Sequence, residues 1–290
     1  MKVAIIGPIC KDEIIINNKK TSQMGGLTYY CGNALFNLGV KVTVFGTFGQ
    51  GSREWLKNLK CQRLVHVPTK STIKFINEYP KANSDYRLQR AEIFQNSITI
   101  KSLKKHDFNQ FDFVVLGPLF HDNLSLAVVK YLRKFKTQIV LAPQGLIRYL
   151  SGTRIIWKNP KNAQKLLKHI DYLILDEREL KFISQKQQIQ KAIDFFNKLG
   201  LHKIIMTQGR AGSWLFLEAK KQHIKFFPPK RVVDPTGAGD SYLAGIIKAK
   251  ELFNNPRQQG EFAAMVATLA IEKPGPFENN LKTVLTRLKT

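Results

Sequence analysis

Short apolar runs of strand length alternate with longer segments of helical period along most of the chain. This alternation predicts βαβ units and a parallel sheet, because parallel neighbours need long crossovers that a helix supplies. Right-handed crossovers put helices on both faces of an open α/β sheet and leave ligand sites at the carboxyl ends of its strands. The strand candidates are 3–6, 42–45, 113–116, 139–142, 172–175 and 204–207, and the helix candidates are 124–135, 162–169, 187–199 and 241–252.

Two stretches, about 12–20 and 71–92, break this rhythm. The second contains two strand-like runs, 72–79 and 86–92, which predict a hairpin around 80–85 outside the main sheet. A small β lid of this kind would exclude water from a site beneath it, and an edge hairpin without any such role is the alternative. We expect one domain over residues 1–290 that carries this lid.

The chain carries a formal net charge of +25, which would attract anionic ligands of any kind. Its lysines and arginines are spread along the sequence, so we interpret them as a solvated basic surface and expect no nucleic-acid partner. The N-terminus lacks the features of a signal peptide, and no apolar run approaches the ~20 residues that cross a bilayer. Cys10, Cys31 and Cys61 form no CxxC pair. We therefore expect a cytoplasmic protein without membrane contact.

The most informative segment is 232–247, where a short apolar run gives way to small residues and then to a helical pattern. Gly237, Ala238 and Gly239 fall where the helix begins, and the first backbone N–H groups of a helix have no internal partner. These groups and the helix dipole attract an anion, and no side chain larger than a methyl group blocks its approach. The segment therefore predicts a phosphate-binding helix start.

Asp240 follows in the first turn of that helix. A carboxylate there can accept the proton of a hydroxyl as its oxygen attacks a bound phosphate. The alternative is a helix-start charge that contributes about 0.3 to 1 kcal/mol of stability. The residues alone leave both interpretations open.

The run from Asp234 to Asp240, DPTGAGD, resembles the signature of the PfkB/ribokinase family of carbohydrate kinases. The resemblance implies a ribokinase-like fold, an anion hole at Gly237, Ala238 and Gly239, and Asp240 as the catalytic base. It also implies transfer of the γ-phosphate of ATP with Mg²⁺, with a monovalent cation as a further candidate cofactor.

Other segments resemble the family in the same order along the chain. Gly25 and Gly26 are similar to its N-terminal glycine pair, and Asp12 to the aspartate that binds substrate hydroxyls; a solvated loop acid is the alternative for Asp12. Asp176 and Glu179 resemble the element that orders magnesium, although Asp stands here where the family has Asn. On the nucleotide side, the resemblance assigns Thr207, Gly209, Gly212 and Thr236.

The acceptor is less constrained. Residues 142–148 follow a strand, and together with 25–30 and 273–276 they resemble the inositol-kinase-like branch, which makes Gln144 and Arg148 substrate-binding candidates. We therefore expect a sugar or polyol similar to myo-inositol. A nucleoside is the second candidate, because Tyr29, Tyr30 or Phe75 could stack a base. A non-catalytic nucleic-acid-binding or regulatory protein is a third, suggested by the charge of +25. Either a monomer or a homodimer is expected.

Overall fold

A computed structural model describes residues 1–16, 19–49, 51, 56–79, 88–93, 95–160, 163–218 and 220–289. The strands are β1 (Lys2–Pro8), β2 (Cys10–Ile16), β3 (Lys19–Gly25), β4 (Lys41–Phe48), β5 (Arg63–Pro68), β6 (Ile73–Tyr79), β7 (Leu88–Glu92), β8 (Phe113–Leu116), β9 (Gln138–Leu141), β10 (Arg148–Ser151), β11 (Arg154–Trp157), β12 (Tyr172–Asp176), β13 (Lys203–Thr207), β14 (Ser213–Leu217) and β15 (Lys220–Ile224). The α-helices are α1 (Leu27–Asn37), α2 (Ile100–Leu103), α3 (Leu126–Leu132), α4 (Gln144–Ile147), α5 (Ala163–Leu167), α6 (Glu177–Ser184), α7 (Ile189–Lys198), α8 (Ala238–Leu252), α9 (Pro256–Ala270) and α10 (Leu281–Arg287).

The main sheet has nine strands among the described residues, in the order β15-β14-β13-β12-β9-β8-β1-β4-β5. All neighbours from β13 to β5 pair in parallel, whereas β14 and β15 add an antiparallel edge. The predicted α/β fold with an open, mostly parallel sheet is therefore confirmed. All six predicted strands are present, and most extend by one to three residues beyond the predicted limits.

Both faces of this sheet are covered by helices, as predicted. Along β1, Val3 and Ile5 point into one core, which contains residues of α1, α8 and α9. Ala4 and Ile6 point into the opposite core, with residues of α3, α6 and α7. Successive side chains of a strand face opposite sides, so a continuous apolar run fits a strand buried on both faces.

The predicted helices are found with shifted ends. The helix expected over 124–135 spans Leu126–Leu132, because the Ser125 side chain accepts a bond from the Val128 amide and caps it there. The helix expected from Ser241 begins at Ala238 instead. The helix expected over 187–199 is α7, and the one expected over 162–169 is α5, with its predicted start at Asn162 outside the described residues.

The lid is larger than the sequence predicted. In the described ranges it is a sheet of six strands in the order β10-β11-β7-β6-β2-β3. The expected segments 12–20 and 71–92 supply only part of it, since the strand Lys19–Gly25 and the hairpin of β10 and β11 also belong to it. The predicted turn around 80–85 lies outside the described residues. In the described part of the chain, we find no helix with the length and apolar character needed to span a bilayer.

Candidate active site

A cavity of about 510 Å³ lies between the lid and the carboxyl ends of the main strands. From the main sheet, its wall includes Asp176 at the end of β12 and Thr207 at the end of β13. The cavity also contains the start of α8 and one face of the lid. Of the predicted site residues, the lining includes Asp12, Gly26, Gln144, Arg148, Asp176, Glu179, Thr207, Thr236, Gly237, Ala238, Gly239 and Asp240.

The start of α8 provides backbone donors to this cavity. No side chain caps the helix, and the amide of Ala238 makes only a 3.3 Å bond to the Pro235 carbonyl. The amides of Gly239 and Asp240 belong to the first turn, where no intrahelical acceptor exists. Gly237 has φ of +76°, and a Cβ there would overlap the ring of Tyr30. Only glycine therefore gives the chain this turn into the helix.

Asp240 lies in the wall of the cavity beside these amides. Burial raises the pKa of its carboxyl to about 6; the nearby Arg148 guanidinium opposes that rise and the Asp12 carboxylate adds to it. A carboxylate whose pKa lies near neutrality can accept a proton during a reaction and still be ionised beforehand. This environment favours the base over a simple helix-start charge.

Asp12 is a buried residue of the lid, not the solvated loop acid of the alternative interpretation. The thiol of Cys10 donates a 3.5 Å bond to its Oδ1. Gly25 lies on the neighbouring strand, and a Cβ there would overlap the Asp12 carboxylate. Gly25 itself is not part of the cavity wall among the described residues, so the structure places it behind Asp12.

Arg148 begins β10, and its guanidinium lies 5.7 Å from the centre of the Phe75 ring. Its positive charge acts on Asp240 and on Glu179, and in both cases it lowers the pKa of the carboxyl. Gln144 begins α4, and its side-chain amide donates to the Glu179 carboxylate. Both residues line the cavity, and their role in substrate binding stays a prediction.

Asp176 and Glu179 form a capping box at the start of α6. Asp176 Oδ1 accepts from the Glu179 amide at 2.7 Å, and Glu179 Oε2 accepts from the Asp176 amide at 3.1 Å. Burial and the neighbouring Asp176 raise the pKa of Glu179 to about 7. The capping box uses one oxygen of each side chain, and the Gln144 amide also bonds to the Glu179 carboxylate. Both acids line the cavity, where a cation or its water could bind them.

The predicted nucleotide-side residues divide into two groups. Thr207 and Thr236 line the cavity, and the Thr236 amide donates to Asp234 Oδ1 at 2.9 Å. Gly209 and Gly212 lie in the turn after β13, outside the cavity wall as far as the described residues show it. Gly212 has φ of +87°, and a Cβ there would overlap the carbonyl of Ile224. The nucleotide role of these two glycines stays a prediction.

Several polar side chains of the cavity wall were not identified from the sequence. Gln23, Asn77 and Gln89 lie on three different lid strands and all line the cavity. Successive side chains of a strand point to opposite faces, so the pairing register of the lid decides whether these three residues face the cavity or the opposite side. Phe75 and Tyr30, which the sequence suggested only as rings that could stack a nucleoside base, also line it.

The charge of the cavity is opposite to that of the chain. Among the described residues that line it, Asp12, Asp176, Glu179 and Asp240 are accompanied by one cationic side chain, Arg148, whereas the chain as a whole carries +25. A phosphorylated donor entering this cavity would face several carboxylates at once. No group of three or more His, Cys, Asp or Glu side chains that could hold a metal exists among the described residues.

The open parallel sheet, the six-stranded lid and the glycine-initiated helix define an α/β protein of ribokinase-like fold. The model of the family described as pfkB family carbohydrate kinase matches residues 10–283, and the chain belongs to that family. Sequence and structure together confirm the family and the fold that the sequence predicted.

Several curated proteins are similar in sequence. Ribokinase from Arabidopsis thaliana is 29% identical over 184 residues, covering 61% of this chain and 45% of the relative. A nucleoside kinase from Methanocaldococcus jannaschii is 29% identical over 139 residues, covering 48% of this chain and 45% of the relative. Inositol 3-kinase from Zea mays is 50% identical over 42 residues, which cover 14% of this chain and 11% of the relative. Each alignment therefore covers less than half of the relative's own length.

Solved structures match over nearly the whole chain. A pyrophosphate-dependent kinase of the ribokinase family, complexed with a pyrophosphate analogue and myo-inositol, has a TM-score of 0.83 at 18% identity and covers 98% of this chain and 99% of its own. A pyrophosphate-dependent myo-inositol-1 kinase, converted into a myo-inositol-3 kinase by an Asn-to-Leu and a Ser-to-Leu substitution, has 0.82 at 17%, covering 99% and 98%. Arabidopsis ribokinase complexed with ribose and ATP has 0.80 at 18%, covering 99% and 98%. At these identities the likeness shows the fold alone.

Proposed function

We propose that the chain is an ATP- and Mg²⁺-dependent kinase that phosphorylates one hydroxyl of a small polyol or sugar, with myo-inositol as the favoured acceptor. The observation that carries the proposal is the position of Asp240. Its carboxyl has a pKa raised to about 6 and lies beside the uncapped start of α8, in the same cavity as Asp12. A base and an anion site adjoin each other there.

In this mechanism the acceptor hydroxyl lies between Asp240 and a phosphoryl group held by the amides of Gly239 and Asp240. The hydroxyl proton passes to the Asp240 carboxylate as the oxygen attacks phosphorus and ADP leaves. The positive end of the α8 dipole stabilises the negative charge on the migrating group. Asp12 accepts from a second hydroxyl of the same acceptor, which favours a polyol over an apolar molecule.

Asp176 and Glu179 are the residues that would hold Mg²⁺, through their free carboxylate oxygens or through water. Oxygen donors are the ligands this ion prefers, and it commonly takes its other ligands from substrate phosphates. A bound Mg²⁺ would offset part of the negative charge that the cavity carboxylates and the donor bring together. Thr207 and Thr236 would contact the phosphate chain from the same side of the cavity.

Two observations support alternatives to this substrate pair. Two of the relatives are nucleoside kinases, and the Phe75 ring, which packs against Phe120, lies in the cavity wall, where it could stack on a base. Among structural neighbours, pyrophosphate-dependent kinases reach the TM-score of 0.83. Nucleoside acceptors and pyrophosphate as donor are therefore the second candidates. A nucleic-acid-binding protein without turnover is not favoured, because Asp240, the start of α8 and Asp12 all line one cavity.

The test is a matrix of donors and acceptors. ATP or pyrophosphate, each with Mg²⁺, is combined with myo-inositol, ribose, fructose, adenosine, inosine or cytidine, and release of ADP or phosphate is followed. We expect ATP with myo-inositol to give the highest rate above the acceptor-free background. If no combination exceeds that background in a folded, donor-binding sample, the kinase proposal is wrong. A nucleoside or pyrophosphate optimum would instead select a second candidate.

A further inference from the structure

A second cavity, of about 340 Å³, lies at the amino ends of the main strands, at the edge of the sheet opposite the active site. It is found where β12, β13 and β15 begin and where β14 ends. The last turn of α8 covers it, and a rise of about 15 Å along this helix separates Asp240 from Lys250. Among the described residues, six line this cavity: Tyr172, Lys203, Leu217, Glu218, Lys220 and Lys250.

Strand register puts two of its lysines on the same face of the sheet. Lys203 lies opposite Leu217, and Leu217 lies opposite Lys220. Directly opposed residues of a sheet point to the same side. Tyr172 belongs to the core on the α8 side of the sheet, and Leu217 packs against that core. The strands therefore bring Lys203 and Lys220 to the face that α8 covers, where Lys250 meets them.

Two ammonium groups share one aromatic ring in this cavity. Lys203 Nζ lies 5.1 Å and Lys250 Nζ 5.4 Å from the centre of the Tyr172 ring. Each contact with the ring is favourable, but the two like charges repel each other. Burial of the amine, followed by the charge of Lys203, lowers the pKa of Lys250, whereas Glu218 acts in the opposite direction. The cavity thus holds positive charge that its own carboxylate does not neutralise.

Other lysines with buried or half-buried side chains have acidic partners. Lys74, Lys181 and Lys248 each lie within 3.3 Å of a carboxylate oxygen. Lys203 and Lys250 are also half-buried, yet in the described ranges neither has a carboxylate oxygen within 4 Å. Charges removed from water without a partner are unfavourable, so a ligand that supplies the counter-charge gains affinity from both lysines.

The charge of the wall indicates the class of ligand. Three ammonium groups against one carboxylate leave a net charge of +2 among the described residues that line the cavity, which a dianion matches. Each ammonium group has three donor hydrogens, and a phosphate group has several acceptor oxygens for them. Tyr172 adds a hydroxyl; burial, then Asp171 and Glu218, raise its pKa to about 12, so it is a protonated donor at neutral pH. A monocarboxylate would neutralise only half of this charge.

We infer that Lys203, Lys220 and Lys250 bind a phosphate-type dianion, either inorganic phosphate or the phosphate group of a small monoester. This site is distinct from the proposed kinase site and does not depend on it, because most of α8 lies between Lys250 and Asp240. The alternative is an unselective basic surface, which a chain of charge +25 produces without any built site. Such a surface attracts all anions alike, and salt screens it.

The experiment compares Lys203→Met, Lys250→Met and Lys220→Met with the parent protein. Methionine keeps an apolar stem of similar length and removes the charge. The matched control is Lys221→Met, because Lys221 lies next to Lys220 on β15 but its Nζ lies 4.4 Å from the Trp214 ring, outside this cavity. Sodium phosphate, glycerol 3-phosphate and sodium acetate are titrated by calorimetry at constant ionic strength. Backbone amide NMR of the same samples locates the binding.

We expect phosphate or glycerol 3-phosphate to shift the amide resonances of Lys203, Leu217 and Lys250. Lys203→Met and Lys250→Met should each weaken this binding roughly 10- to 100-fold, and Lys221→Met should match the parent. The tighter of the two ligands identifies the source of the phosphate group. Phosphate bound at the start of α8 would instead shift the amide of Asp240, and that shift should persist in all lysine variants.

The site is refuted if neither phosphate nor glycerol 3-phosphate shifts the amides of Lys203, Leu217 and Lys250. It is also refuted if acetate shifts them as strongly, or if Lys221→Met weakens binding as much as Lys250→Met, since only a basic surface would then be present. Should the two half-buried lysines prove necessary for folding, the exposed Lys220→Met decides, and an unchanged phosphate affinity refutes the site. Binding is measured without turnover, so failure of the proposed kinase activity would leave each of these results unchanged.

Discussion

Replacing Asp240 by Asn removes the proposed base while keeping the size of the side chain. Loss of a positioned general base lowers turnover by roughly 10²- to 10⁴-fold. The amides of Gly239 and Asp240 belong to the backbone and are unchanged, so ATP affinity should be close to that of the parent. The acceptor KM should also change little, because Asp12 is still present.

The pH dependence follows from the raised pKa of Asp240, about 6 against an ordinary value of 3.8. The base must be ionised, so kcat should fall below pH 6 and reach about a tenth of its plateau at pH 5. This acid limb should be absent from the residual activity of Asp240→Asn. In Arg148→Met it should move to higher pH, because the guanidinium lowers the pKa of Asp240.

The same pKa predicts an effect on stability. A carboxyl with a raised folded-state pKa favours folding below its unfolded pKa, and this contribution is lost as the pH rises through 6. A difference of about two units between the folded and unfolded pKa of Asp240 corresponds to about 3 kcal/mol of stability, and solvent screening in the cavity reduces this to about 1 to 2 kcal/mol. Asp240→Asn should therefore raise the free energy of unfolding by about that amount at pH 8, with a gain that vanishes below pH 4.

The assays are ADP release from pH 5 to 9 and urea unfolding at pH 4 and 8. The catalytic argument is refuted if a folded Asp240→Asn protein that binds ATP keeps turnover within a few-fold of the parent. It is also refuted if the variant still loses activity below pH 6, because the ionisation of another group would then cause that loss. Equal stability changes at pH 4 and pH 8 would leave the base in place but show that burial of Asp240 is weaker than the structure indicates.

Two further predictions concern the helix starts. Gly237→Ala should lower the free energy of unfolding by about 1 to 3 kcal/mol, because the residue has φ of +76° and its Cβ would overlap Tyr30. Gly239→Ala is the control and should not lower it, because a Cβ at Gly239 would meet open space. Thermal unfolding of both variants tests this prediction, and equal melting temperatures would contradict it. Asp176→Ala should cost about 1 kcal/mol by removing the cap of α6, while Asp176→Asn keeps the cap and should differ from the parent only in the Mg²⁺ concentration that supports half-maximal rate. An Mg²⁺ requirement unchanged in Asp176→Asn would remove Asp176 from the proposed cation site.

Local sequence determined the scaffold and the chemistry at one helix start. Apolar runs of strand length separated by helical periods were sufficient to predict a parallel sheet covered by helices on both faces. A continuous apolar strand must be buried on both faces, and a sheet of such strands therefore needs helices on each side. The small residues before Asp240 likewise determine where α8 begins, since Gly237 adopts a positive φ there. These features depend on residues close together in the chain, so they could be predicted.

Tertiary structure decided what depends on distant residues. The double role of Asp176 and Glu179 as cap and cavity wall could not be predicted, nor could the acidity of the cavity within a chain of charge +25, because both require knowing which side chains converge. The extent of the lid was missed because β3 is largely polar and because β10 and β11 have only four residues each, so these strands carry little local signal and gain stability from pairing. Asn77 and Gln89 reach the cavity through strand register. A shift of one residue would turn both amides to the solvent face, and only the pairing of distant strands prevents it.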